Sequence, residues 1–279
     1  MQDLNLKNIS IGFIGAGNMA VSMIKGLLST GINPTNIWAA DIDQEKLERL
    51  AADSKVNTTH SDDFAATTDV VVLAVKPQVM KNVCVQLAND INGSNPLIIS
   101  IAAGITTDNL ATWLGANYSI VRCMPNTPAL IGKGASALFA NSAVSDSQKQ
   151  LAQEIMEAVG ISVWVAAEAD IDSVTAVSGS GPAYFFLFIE AIQKVAVDLG
   201  LSEELARQLS YQTALGAAEL AIGSDDDIET LRKNVTSPGG TTEKAILAFE
   251  NGGLRKLVAD AVQAAQRRSI ELAKEYGKN

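Results

Sequence analysis

Gly15-Ala16-Gly17-Asn18-Met19-Ala20 lies between an apolar run, Ile9–Ile14, and a stretch of helical spacing, Met19–Leu28, and that order decides the fold. A short apolar run closed by glycine reads as a buried parallel strand. Gly15 and Gly17 let the backbone turn tightly and come close to a pyrophosphate, while Ala20 stands where a third glycine usually lets the helix pack on the strand. The free N–H groups of a helix starting near Asn18 would face that anion. A second strand, Ile37–Ala40, runs into Asp41, roughly 20 residues past the glycines, where an acid holds a ribose. The plain alternative is an ordinary glycine-rich turn between strand and helix. The strand, the helix and the acid at this spacing favour a dinucleotide site.

Outward from this unit the first half keeps alternating strand and helix. Val70–Ala74, Leu97–Ser100, Ser119–Met124 and Ala135–Phe139 read as strands, and the alternation implies an α/β domain with a doubly wound, mostly parallel sheet. A helix over Ser147–Ala158 and a strand over Ile161–Val165 close it. Beyond Glu168 the strand pattern stops, and Pro182–Glu275 is Ala, Leu, Glu and Lys at helical spacing. Two domains follow, residues 1–166 for the nucleotide and an all-helical part over 167–279.

Composition removes whole classes of function. The chain has 279 residues, 47% hydrophobic and 19% charged, with 21 Lys plus Arg against 31 Asp plus Glu. A net charge of -10 argues against nucleic acid or an anionic membrane as partner. No apolar run approaches the about 18 residues of a membrane span. Cys84 and Cys123 form no Cys-x-x-Cys unit and no secretory signal precedes the first strand, so reduced thiols and a cytoplasmic protein are expected. With a single histidine, His60, in a polar Thr-Thr-His-Ser-Asp stretch, a histidine-rich metal site is excluded and no metal is expected. His60 itself reads as a solvated loop residue.

Two glycine-rich, hydroxyl-bearing segments mark the helical part. Ser178-Gly179-Ser180-Gly181 reads as a loop whose glycines allow close approach, and it precedes Pro182, which suits the first turn of a helix. The helix that follows carries Ala183, Tyr184, Phe185, Phe186, Leu187, Phe188 and Ile189. So apolar a run is either the central helix of one bundle or a face buried against a partner subunit. Ser237-Pro238-Gly239-Gly240-Thr241-Thr242-Glu243 opens another helix and presents several backbone donors together, a cradle for a carboxylate. It also reads as a simple cap, with a Thr hydroxyl and Glu243 serving the orphan N–H groups. In the first half, Ala74-Val75-Lys76-Pro77-Gln78 and Arg122–Pro128 follow strands, and ligands on open α/β sheets bind at such carboxyl ends. Lys76 could meet phosphate or ribose charge and Asn126 a carboxamide; as plain structure, the prolines are turn formers and Lys76 is solvated.

The set GAGNMA, AVKPQ, ISIAAGI, RCMPNTP, SGSGPAY and VTSPGGTT, in this order and spanning nearly the whole chain, resembles the Δ1-pyrroline-5-carboxylate reductase family. Val235–Thr242 is the most specific of these segments. The resemblance implies an N-terminal Rossmann domain, a helical C-terminal domain that interlocks two subunits as a homodimer, and often a ring of dimers. It implies hydride transfer from NADPH or NADH to the C=N bond of 1-pyrroline-5-carboxylate, giving L-proline. Residue by residue, it implies Gly15, Gly17, Asn18 and Met19 at the pyrophosphate, Ala74, Lys76 and Pro77 along the ribose and nicotinamide, and Asn126 near the nicotinamide. Ser178, Gly179, Ser180 and Gly181 would line the substrate pocket, with Gly239, Gly240, Thr241 and Thr242 on the carboxylate and Thr242 as the catalytic hydroxyl nearest the ring nitrogen.

An imine picks up a proton readily and then accepts hydride, so no dedicated acid is required. The β-hydroxyacid dehydrogenases, the runner-up, use a lysine early in the long helix of the second domain, and Tyr184–Phe188 offers none. A nucleotide sensor without chemistry would need a degenerate substrate side, and both hydroxyl-rich segments are intact in form. Asp41, with Ile42 and Asp43 after it and no arginine beside it, points to NADH over NADPH.

Overall fold

A computed structural model of the chain describes residues 6–91, 93–115 and 118–277. It divides into two compact units, one running to Ser180 and resuming at Ala265, the other spanning Gly181–Ala264.

The first unit is built on eight strands: β1 (Ile11–Ile14), β2 (Ile37–Ala40), β3 (Asn57–Thr59), β4 (Val70–Leu73), β5 (Leu97–Ser100), β6 (Ile120–Met124), β7 (Gly134–Ala140) and β8 (Gly160–Trp164). Their order is β3-β2-β1-β4-β5-β6-β7-β8, and every pair is parallel except β6 with β7. β1, β4 and β5 are buried at every position, as central parallel strands covered on both faces must be. Alternate residues therefore feed two cores. Ile11, Phe13, Val70, Val72 and Ile99 face one layer with Met23, Ile24 and Leu27 of α1 (Asn18–Ser29). Ile14, Val71, Leu73, Ile98 and Ile120 face the other, with Met80, Cys84 and Leu87 of α3 (Pro77–Asp90) and Leu110 and Leu114 of α4 (Thr107–Leu114). The helix α2 (Gln44–Ser54) links β2 to β3, and α5 (Asp146–Glu157) precedes β8.

Strand order turns back on either side of β1, which pairs with both β2 and β4. Such a reversal opens a crevice at the carboxyl ends of the strands. The strands expected from sequence are present; β3 is the addition, a polar edge strand of three residues with no hydrophobic signature.

The sequence places a boundary near residue 166, where strand composition ends; the compact units part later, at Ser180. The helix α6 (Asp170–Val174) stays with the sheet because Arg122 of β6, buried at 2% exposure, pairs with Glu168 at 3.2 Å and Asp172 at 3.9 Å. Thr107 donates its backbone N–H and its hydroxyl to Glu168, and the Ser269 hydroxyl donates to Asp172 at 2.7 Å. That last bond anchors the end of the closing helix to the sheet unit.

The second unit holds α7 (Gly181–Asp198), α8 (Glu203–Ile222), α9 (Ile228–Asn234), α10 (Thr241–Asn251) and the first part of α11 (Leu254–Gly277). Among its described residues, Ala206 is the only buried hydrophobic side chain. Phe185, Phe186 and Leu187 are 70%, 65% and 67% exposed, and Ile222 is 86% exposed. A monomer leaving this much large apolar surface in water lacks the burial that offsets chain entropy, so these helices need a further covering surface.

Candidate active site

β1 ends at Ile14, and Gly15 turns the chain with φ +101, a conformation that L side chains avoid. A Cβ there would lie 2.6 Å from the Ala74 carbonyl oxygen, so the glycine turn sits directly against the chain leaving β4. Gly17 differs in kind. Its φ of -75 suits any residue, yet a Cβ on it would meet no protein atom within 4 Å. It is the N-cap of α1 and no side chain caps that helix. The first turn of α1 thus opens onto free space with unpaired donors and a positive dipole end, a cradle that fits a pyrophosphate. Gly17, Asn18 and Met19 lie on this rim.

Asp41 follows β2 as expected, but its carboxylate points into the glycine turn. Oδ2 accepts from the Ala16 N–H at 2.8 Å and Oδ1 from the Asp43 N–H at 3.0 Å. Its side chain is only 11% exposed, with Lys46 Nζ 3.8 Å away. The acid therefore braces the turn; the sequence spacing located it and gave no hint of this bracing. Asp43 caps α2, and the Lys46 backbone N–H bonded to its carboxylate holds that carboxyl below the usual range.

After β4, Lys76 is the N-cap of α3 and Pro77 its first residue; no side chain caps this helix either. Ala74, Lys76 and Pro77 thus stand at the carboxyl end of β4, beside the glycine turn. The Gln78 amide donates to the Tyr276 hydroxyl at 3.1 Å, tying this helix start to the end of α11.

Asn126 is 9% exposed and its amide is already engaged: Nδ2 donates to the Ser178 carbonyl at 3.0 Å, and Oδ1 accepts from the Ala135 N–H at 2.9 Å. This side chain fixes the backbone at Ser178, and its amide keeps one N–H and one oxygen lone pair beyond these two bonds. That backbone is not the loop expected from its glycines. Thr175–Gly179 form a π-helical turn, with Ser180 N–H donating to the Thr175 carbonyl at 2.8 Å, and α7 begins at Gly181. A Cβ on Gly179 would lie 2.6 Å from the Met124 methyl, so this glycine serves close packing. π-turns concentrate at functional sites.

In the second unit, Gly239 has φ +73 and Gly240 is the N-cap of α10, again without a side-chain cap. The Thr hydroxyl cap allowed by the sequence is absent; Glu243 instead reaches back to accept from the Gly239 N–H at 2.9 Å. Thr241 and Thr242 head a helix whose first donors remain open, as a carboxylate cradle requires.

His60, set aside as a surface residue by the sequence, lies beside Asp41: Nδ1 bonds the Asp41 carbonyl at 2.9 Å and Nε2 bonds Gln44. Its signal is tertiary, since the polar strand β3 delivers it to the end of β2. Cys84 and Cys123 are buried and unbonded to each other, and burial pushes both thiols up to about 12, which leaves them without nucleophilic use. Among the described residues no helix is long and apolar enough to cross a membrane, and no cluster of His, Cys, Asp or Glu could hold a metal ion.

Residues 168–272 match the family model described as pyrroline-5-carboxylate reductase dimerisation, and residues 10–104 match that of NADP oxidoreductase, coenzyme F420-dependent. A pyrroline-5-carboxylate reductase of Pseudomonas aeruginosa is 50% identical over 268 residues, covering 96% of this chain and 98% of that protein. The chain belongs to the pyrroline-5-carboxylate reductase family. Among solved structures, the reductase of Coxiella burnetii superposes with a TM-score of 0.90 at 46% identity, covering 95% of this chain and 98% of that one. The Plasmodium falciparum pyrroline carboxylate reductase, solved with NADP bound, gives 0.85 at 31% identity over 96% of this chain and 100% of that one. The reductase family thus spans both units, and its dimerisation segment includes the helices found short of a core.

Proposed function

We propose that this chain is a pyrroline-5-carboxylate reductase, transferring hydride from a reduced nicotinamide cofactor to the C=N carbon of 1-pyrroline-5-carboxylate and releasing L-proline. The observation that carries this reading is the 50% identity across 96% of the chain with an enzyme of that name. When bound, the nicotinamide supplies the hydride. The open first turn of α1 holds the pyrophosphate by backbone donors and dipole, without any cation. Gly15 and Asp41 keep that turn in shape. Ala74, Lys76 and Pro77 border the ribose and nicotinamide, and the Ser178–Gly181 segment, fixed through Asn126, borders the substrate. In the second unit the start of α10, Gly239–Thr242, takes the carboxylate. The Thr242 hydroxyl stands at the ring nitrogen, which takes a proton from water or from that hydroxyl, and the carbon of the resulting iminium then accepts the hydride.

The negative charge at Asp41 and Asp43 favours NADH over a cofactor with a 2′-phosphate, although Lys46 lies 3.8 Å from Asp41 and 3.4 Å from Asp43 and offsets part of it. The working form is a homodimer joined through the exposed faces of the helical unit, and a ring of dimers is the larger assembly to look for. Mixing the protein with NADH or NADPH and pyrroline-5-carboxylate tests the activity through loss of nicotinamide absorbance. Turnover of a hydroxy acid instead would favour a β-hydroxyacid dehydrogenase; cofactor binding without turnover of either would favour a sensor.

A further inference from the structure

His60 stands at the carboxyl end of β2 in a chain of hydrogen bonds whose polarity is fixed from both ends. At one end, Nδ1 meets the Asp41 carbonyl at 2.9 Å, and a carbonyl can only accept. At the other, the Gln44 amide donates Nε2–H to the Glu48 carboxylate at 2.7 Å, which turns its Oε1 toward His60 Nε2. Both partners of the ring are thus acceptors. A neutral imidazole has one N–H and leaves one of these contacts without a proton; the imidazolium satisfies both.

The neighbouring charges define what that cation does. At this corner the Asp41 and Asp43 carboxylates lie 3.8 Å and 3.4 Å from Lys46 Nζ, and the Glu48 carboxylate holds Gln44. Acids outnumber bases, so without a charge on His60 this corner repels a second phosphate. The Gln44 contact is made by an exposed side chain and can be exchanged for a phosphate oxygen without disturbing the sheet. The Asp41 carbonyl contact holds the ring in place meanwhile.

We infer that His60 makes the choice of cofactor proton-linked: its imidazolium form accommodates a 2′-phosphate beside the adenosine ribose, and its neutral form leaves the acidic corner selective for NADH. This rests on the cofactor reading above. Acidification then raises NADPH affinity relative to NADH.

Because His60 is the only histidine, its Cε1–H gives a single imidazole resonance that needs no assignment. At pH 7, adding adenosine 2′,5′-bisphosphate should move that resonance toward the imidazolium position, whereas adenosine 5′-monophosphate should not. In parallel, the ratio of NADPH to NADH affinity, read by nicotinamide fluorescence, should rise about fivefold from pH 8 to pH 6, the factor expected for one added unit charge about 4 Å away in water. His60→Gln keeps a donor for the Asp41 carbonyl but carries no charge, so its ratio should lack that rise; the same comparison removes any contribution from titration of the phosphate. If both nucleotides displace NADH and move the resonance equally or not at all, or if His60→Gln keeps the full pH dependence, the inference is wrong. If neither nucleotide displaces NADH, the cofactor reading falls and takes this inference with it.

Discussion

Alanine at Gly15 and at Gly17 should separate folding from cofactor binding. At Gly15, φ is +101 and a Cβ would lie 2.6 Å from the Ala74 oxygen and 2.8 Å from its carbonyl carbon. Backbone strain costs about 1–3 kcal/mol and overpacking a similar amount, together about 2–6 kcal/mol. In a unit of this size that lowers the unfolding midpoint by about 4–24 °C. At Gly17, φ is ordinary and the added methyl meets no protein atom within 4 Å. Loss of a good N-cap, about 0.5–1 kcal/mol, is offset by the lower entropy of the unfolded chain, about 0.4–1 kcal/mol. Gly17→Ala should therefore melt within about 2 °C of the unaltered protein. Its methyl nonetheless occupies the mouth of the α1 cradle. Displacing the pyrophosphate from even one charge-assisted N–H contact costs about 1.5–3 kcal/mol, so the Kd for NADH should rise about 10- to 150-fold. Thermal unfolding and calorimetric titration with NADH measure the two quantities on the same sample. Tight NADH binding by Gly17→Ala would refute the placement of the pyrophosphate, and an unperturbed midpoint for Gly15→Ala would refute the packing argument.

Three further outcomes follow. Thr242→Ala should lower kcat/KM for pyrroline-5-carboxylate by about 1–3 kcal/mol in ΔΔG‡, with cofactor affinity nearly unchanged; loss of nicotinamide binding with substrate affinity intact would reverse the two pockets. Asp41→Ser should weaken NADH more than NADPH in side-by-side kinetics, and since it removes the carboxylate bonds to Ala16 and Asp43 it should weaken both; a clear NADPH preference in the unaltered protein at pH 8 would show that Asp41 does not govern the choice. Phe186→Asp alters a side chain that is 65% exposed in one chain and should convert the dimer or its multiples to monomer by light scattering; an unchanged mass would place the interface elsewhere.

The glycine turn, the carboxyl ends of β4 and β6 and the start of α10 were legible in the sequence because each depends on local chemistry: glycine at a forced turn, proline at a first helical position, open N–H groups. Asp41 was legible as a position and illegible as a contact, since spacing does not reveal that its oxygens turn back to Ala16 and Asp43. His60 was hidden because Asn57–Thr59, the strand that delivers it, is polar and three residues long, with neither alternation nor bulk. The Ser178–Gly181 segment misled in another way. Its glycines read as a loop, but Gly179 packs against Met124 inside a π-turn, and helical hydrogen bonds of that register leave no mark on composition. The extent of the sheet unit was equally tertiary, because the Arg122–Glu168–Asp172–Ser269 network joins residues far apart in sequence.

The central claim is that hydride passes from the nicotinamide ring to the imine carbon of pyrroline-5-carboxylate on this protein. NADH or NADPH deuterated at C4 on the transferred face, incubated with the protein and the imino acid, tests it directly by mass spectrometry and NMR of the product. Two parallel incubations, one with each face labelled, identify that face. The account requires L-proline carrying one deuterium at C5 in one of the two and no label in the other. Proline without deuterium at C5 in both, or cofactor consumed with no proline formed, would contradict it.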